Sequence, residues 1–153
     1  MSDLDVRPAR LDEIDAVLAF WAAAAEGVSV SDDPAGVRGL IERDPEALIL
    51  AIEHSPATEH SPASERSGRI VGSVIAGFDG WRCHLYRLAV APDRRRQGIG
   101  RLLIEAAELR FAAFGGRRAD AMVLERNTTA HGAWGAAGYQ REEHWRRWIK
   151  PLP

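Results

Sequence analysis

The 153-residue sequence predicts one α/β (α+β) domain built on a mixed sheet, with residues 1–153 as a single unit. Three observations carry this expectation. Apolar runs of strand length alternate along the chain with stretches of helical period. An apolar run ending at Pro92 passes through an arginine-rich turn into a helix opened by Gly98 and Gly100. The length suffices to bury roughly 70% of the unfolded surface, and no linker divides the chain.

Residues 4–7 read as a short first strand. Leu11, Ile14, Val17, Leu18 and Trp21 recur at i, i+3, i+4 and i+7, which predicts a helix over 11–25 stopped by Gly27. A loop follows over 27–33, and Pro34 suits the first turn of a second helix through Glu42. Residues 47–53, 69–78 and 81–90 are strand candidates, the second bent by Gly72 and Gly77. Between them HSPATE at 54–59 is followed by HSPASE at 60–65. This near-duplication is too polar to join a core and predicts a flexible loop over 54–67. His54 and His60 within it lack a third ligand, so no metal site is expected. The second half predicts a helix over 98–114 ended by Gly115 and Gly116, a strand over 120–125, and a helix over 129–137 ended by Gly138. Two short strands are expected over 139–150.

Composition excludes several classes. No apolar run approaches the ~20 residues that span a bilayer, and the start, MSDLDVRPAR, lacks the basic and apolar regions of a signal peptide. Cys83, the only cysteine, rules out an internal disulfide and suits a reducing cytoplasm. The net charge of −2 conceals an asymmetry. Residues 1–68 hold 14 Asp and Glu against 5 Arg; residues 69–153 hold 15 Lys and Arg against 8 Asp and Glu. A basic second half suits an anionic ligand. Its cations lie within helix and strand patterns, with no nucleic-acid motif, so nucleic acid is not the expected partner.

The turn after Val90 carries the chemistry. A strand end, a glycine turn and a helix start together aim unpaired backbone N–H groups and the positive helix end at one point, which attracts phosphate. A P-loop requires GxxxxGK[ST], which is missing, and a Rossmann turn requires a third glycine where Leu103 stands. The pattern [Q/R]-x-x-G-x-[G/A] is met by Arg95, Arg96, Gln97, Gly98, Ile99 and Gly100.

On these residues the chain resembles the GNAT superfamily of acyl-CoA-dependent N-acetyltransferases. The likeness extends through Asn127, Ala130, Trp134, Gly138 and Tyr139. It implies the GNAT fold: a mixed, mostly antiparallel sheet splayed between strands 4 and 5 and flanked by about four helices. It implies acetyl-CoA as co-substrate, its pyrophosphate held by backbone amides from Arg95 to Arg101. The pantetheine arm would lie along Leu88, Ala89 and Val90, with a backbone N–H near Val90 polarising the thioester carbonyl. Asn127 would hydrogen-bond the cofactor or cap its own helix, and Trp134 would pack beside the pantetheine.

The implied reaction is transfer of acetyl to a primary amine, small molecule or peptide, by direct attack in a ternary complex. Trp134 stands where many relatives place the tyrosine that protonates the thiolate, and an indole cannot supply that proton. Tyr86 is the remaining candidate acid. His84 has the intrinsic acidity of a base; strand alternation would set it on one face with Tyr86, Leu88 and Val90 unless a bulge intervenes. Glu26, Asp32 and Asp33 are candidates to attract an ammonium acceptor. The rival reading is a GNAT-fold module that binds acyl-CoA without catalysis. Trp145, Trp148 and Ile149 suit either core packing or a homodimer surface.

Overall fold

The computed structural model describes residues 3–55 and 68–153. Five strands, β1 (Asp3–Pro8), β2 (Leu48–His54), β3 (Gly68–Phe78), β4 (Cys83–Val90) and β5 (Ala119–Ala121), form one sheet in the order β1-β2-β3-β4-β5. The first three junctions are antiparallel and the β4–β5 junction is parallel, so the sheet is mixed as expected. Four α-helices flank it: α1 (Ile14–Ala24), α2 (Pro34–Arg43), α3 (Ile99–Ala113) and α4 (Thr128–Ala136). The expected loop over 54–67 falls outside the described residues from 56 onward.

The two faces of the sheet are covered by different helices. Gly72 lets α3 approach closely: a Cβ there would stand 2.8 Å from Leu103 and 2.9 Å from Ile99, both buried. On the opposite face α1 docks through Trp21, whose indole N–H donates to Ser73 Oγ at 3.0 Å. The interior strand β2 is buried over Leu48–Ile52, which is why its apolar run shows no alternation. Asp33 caps α2 by accepting from the Gly36 N–H at 2.7 Å, with Pro34 in the first turn.

Three expectations need correction. The strand expected over 120–125 shrinks to β5, three residues paired with Cys83–Leu85. The two strands expected over 139–150 are absent, because β5 ends the ladder among the described residues. Trp145, Trp148 and Ile149 are exposed and therefore not core. The first helix opens with a 3-10 turn at Leu11–Glu13 before α1 proper. Among the described residues no helix is long and apolar enough to cross a membrane.

Candidate active site

The short β5 makes the site. It pairs Cys83 with Ala119, His84 with Asp120 and Leu85 with Ala121, and nothing further. From Tyr86 to Val90, β4 therefore has a strand neighbour only on the β3 side, which is the expected splay. Ala91 N–H bonds to Val71 C=O at 2.8 Å. Antiparallel alternation then turns the amide and carbonyl of Val90 away from β3, into the splay.

A bulge lies in the middle of β4. The pairing steps from Ile75↔Tyr86 to Ser73↔Ala89, which leaves Arg87 and Leu88 opposite the single residue Val74. Arg87 takes φ +51°, the left-handed region. The extra residue moves Val90 to the α3 face with Leu85, while His84, Tyr86 and Ala89 share the α1 face. The common face expected for His84, Tyr86, Leu88 and Val90 is thus broken by the bulge.

The bulge is held from both sides. Ser73 Oγ accepts from Trp21 and donates to the Arg87 carbonyl at 2.8 Å. The Arg87 guanidinium reaches the loop between α1 and α2, bonding both oxygens of Asp32 and the carbonyls of Glu26 at 3.2 Å and Gly27 at 3.1 Å. Ser73 and Arg87 were not singled out in the sequence as site residues. Asp32 is paired with Arg87, while Asp33, exposed, caps α2 through one carboxylate oxygen. Glu26 is exposed.

Beyond Val90 the chain makes a 3-10 turn at Pro92–Arg94 and enters α3 through Gly98, at φ +85°. That conformation is cheap only for glycine. No side chain caps α3 and no acidic residue occupies its first turn, so its leading N–H groups face outward without an internal anion. Ile99 is buried, its side chain in the core. Gln97 is exposed, as is Arg96 at φ +63°. Arg101 pairs with Glu105 at 2.7 Å. Arg95 folds back, its Nε donating to the Val90 carbonyl at 3.3 Å and Nη2 to Ala24 at 3.5 Å. Arg94 turns the other way, onto Glu53 and Asp93.

A cleft of about 670 Å³ separates this turn from α4, lined by Arg95, Arg96, Thr128, Thr129, Gly132 and Ala133. Asn127 caps α4, its Oδ1 accepting from Ala130 N–H at 3.2 Å. Trp134 does not line the cleft. It is buried, with its ring edge-on to Tyr139 at 4.9 Å, and Tyr139 donates to Glu108 on α3 at 3.0 Å.

At the other end of the splay, His84 stands between two carboxylates. Its Nδ1 lies 2.8 Å from Asp120 Oδ1 and its Nε2 3.5 Å from Asp79 Oδ2. Asp79 accepts backbone N–H bonds from Arg82 at 2.6 Å and Trp81 at 2.8 Å, which hold its carboxyl below the usual range. Tyr86 is half-exposed, its ring 6.1 Å from that of His84. Partial burial, with Asp120 and Asp79 nearby, raises the Tyr86 phenol, which stays protonated at neutral pH.

Comparison with known proteins agrees with this geometry. The model of the acetyltransferase (GNAT) family matches residues 18–139. An acetyltransferase of Pectobacterium atrosepticum is 29% identical over 137 residues, covering 90% of this chain and 88% of that one. Among solved structures, an aminoglycoside N-acetyltransferase in complex with CoA superimposes with a TM-score of 0.75 at 17% identity, covering 99% of this chain and 97% of the other. The ribosomal-protein alanine N-acetyltransferase of Escherichia coli gives 0.65 at 14% identity, covering 89% and 77%.

Proposed function

The chain belongs to the acetyltransferase (GNAT) family, and from that premise we propose that it moves acetyl from acetyl-CoA to a primary amine by direct attack in a ternary complex. The observation that carries this reading is the open stretch of β4, with Val90 turned into the splay, leading directly to the uncapped start of α3. The residues present fit the co-substrate. The amides of Arg95–Arg101 and the guanidinium of Arg96 suit a pyrophosphate, and the cleft beside Thr128, Thr129 and Gly132 gives it room. Leu88, Ala89 and Val90 offer a strand edge to the amide-bearing arm. Asn127 contributes by capping α4 at the cleft wall.

Bound acetyl-CoA supplies the activated thioester. The protein's own share is positioning, polarisation of the carbonyl by a backbone N–H near Val90, and proton handling. His84 accepts the proton of the acceptor ammonium, and Tyr86 donates to the departing sulfur. Trp134 is a core residue that does not line the cleft. Acceptors are small-molecule or peptide amines, and the buried free thiol of Cys83 suits the reducing cytoplasm.

The test is a variant with Gly98 and Gly100 both replaced by Val, titrated with acetyl-CoA in a calorimeter. Binding is lost while circular dichroism is retained; unchanged affinity overturns the assignment. One observation favours a second reading, a module that binds acyl-CoA without catalysis: the usual tyrosine position holds a buried tryptophan. Acetyl-CoA binding without CoA release across a broad amine panel would select it.

A further inference from the structure

We propose that Asp120 is a positioning residue that fixes the tautomer of His84, leaving Nε2 as the proton acceptor at the mouth of the splay. This rests on the acetyltransferase reading above. The two residues are direct partners in the last stretch of β4–β5 pairing. Their cross-strand contact, 2.8 Å between Nδ1 and Oδ1, lies where the strands part. A carboxylate only accepts, so Nδ1 must carry hydrogen, and neutral imidazole then presents a bare Nε2.

The surroundings of His84 are consistent with that role. Asp79, from the β3–β4 turn, lies 3.5 Å from Nε2, too long for a committed bond. Tyr86 is its neighbour on the same strand face, and Arg147 bears on Tyr86 from the C-terminal segment. His84 is 28% exposed in its side chain, so solvent reaches it. It stands four residues before Leu88, so protons travel to it by way of water.

In balance, the acceptor ammonium gives one proton through water to Nε2, and its nitrogen bonds the acetyl carbon. The carbon–sulfur bond breaks with its electron pair on sulfur, which takes a proton from solvent or from Tyr86, whose phenolate is then reprotonated by solvent. The second proton of the new amide nitrogen and the imidazolium proton pass to bulk water.

The experiment compares the whole chain with Asp120→Asn and His84→Gln. Two-bond ¹⁵N–¹H spectra of histidine-labelled protein report each ring's tautomer, and His84→Gln identifies the His84 signal. Wild type shows hydrogen on Nδ1 when His84 is neutral. Asp120→Asn moves it to Nε2, because an amide N–H now donates to Nδ1. CoA release with spermidine as the amine probe, or with the best amine of a panel, falls about a hundredfold in kcat for Asp120→Asn. KM for acetyl-CoA holds, and the rate recovers toward high pH as the amine deprotonates itself. A wild-type His84 with hydrogen on Nε2, or an Asp120→Asn enzyme with wild-type kcat and pH profile, overturns the proposal. Failure of acetyl-CoA to bind wild-type protein overturns the acetyltransferase reading instead, and leaves the tautomer result to judge Asp120 alone.

Discussion

Arg87, at the bulge of β4, grips both carboxylate oxygens of Asp32, a residue 55 positions earlier in the chain. Its ring-facing guanidinium also lies 5.7 Å from the centroid of Trp21. One side chain thereby ties the least regular point of the sheet to the loop that covers it. Arg87→Ala is expected to cost about 2 kcal/mol, since both partners are mostly shielded and Asp32 loses its counter-charge. Urea unfolding measures the loss, and proteolysis in the native state should newly cut within residues 26–33. Arg87→Lys keeps the charge but not the planar fork, and should recover only part of the stability.

Ser73 is the only buried polar residue among those described, and it links Trp21 to the Arg87 carbonyl. Ser73→Ala strands an indole donor and a carbonyl acceptor at once. A loss of about 1–3 kcal/mol follows. A double-mutant cycle with Trp21→Phe should show coupling, because the second substitution removes the stranded donor.

Trp134 answers a question of chemistry as well as packing. Trp134→Ala should destabilise the fold by about 3–5 kcal/mol through loss of the buried ring. Trp134→Phe keeps an aromatic edge for Tyr139 and should leave kcat for CoA release unchanged. A large fall in kcat with Phe, at preserved stability, would give the indole a part in turnover beyond packing.

The acid side of the stability profile has a named contributor. A hydrogen bond from Arg69, with Arg94 nearby, holds the Asp93 carboxyl at about 2, below its ordinary value near 4. Glu13 is lowered likewise, chiefly by its bond from Arg7. A depressed folded value contributes stability above the ordinary pKa and surrenders it as pH falls through the folded one. The urea midpoint should therefore drop as pH falls from 5 toward 2, and less steeply in Asp93→Asn.

Burial pushes the Cys83 thiol up, and Asp120 and Asp79 add to the shift. In native protein at pH 8, the thiol reagent DTNB should release no prompt colour. One equivalent should appear when the chain unfolds in urea. Fast native labelling would contradict the packing of Cys83 at the start of β4.

Most of the fold was legible because its elements are amphipathic and end at glycine or proline. α3 is the clearest case, framed by Gly98 and Gly115 with a buried stripe from Ile99 to Phe111. The phosphate turn was legible for the same reason, as its glycines are demanded by backbone shape. The bulge was not. Helices cover both faces of β4 there, so Cys83, Leu85 and Ala89 are all buried and the period of two runs on unbroken while the face changes. A lone arginine in an apolar run was its only trace. Asp120 and Asp79 were invisible as partners of His84, since a cross-strand contact and a turn contact depend on register. The strands expected over 139–150 failed because alternation says nothing about whether a neighbouring strand exists to pair with.

The three-residue reach of β5 has a cost as well as a use. Tyr86–Val90 forms a strand edge inside the molecule with no strand beside it on the β5 side, only Arg95 reaching the Val90 carbonyl, and such an edge can template pairing with an extended chain. Whatever occupies that edge therefore protects the protein from itself. A ligand at a hundred times its dissociation constant adds about 2.7 kcal/mol of stability by mass action, and here it would also close the seam through which copies could zip together. Shelf life and solubility of this protein should thus track co-substrate concentration as closely as turnover does.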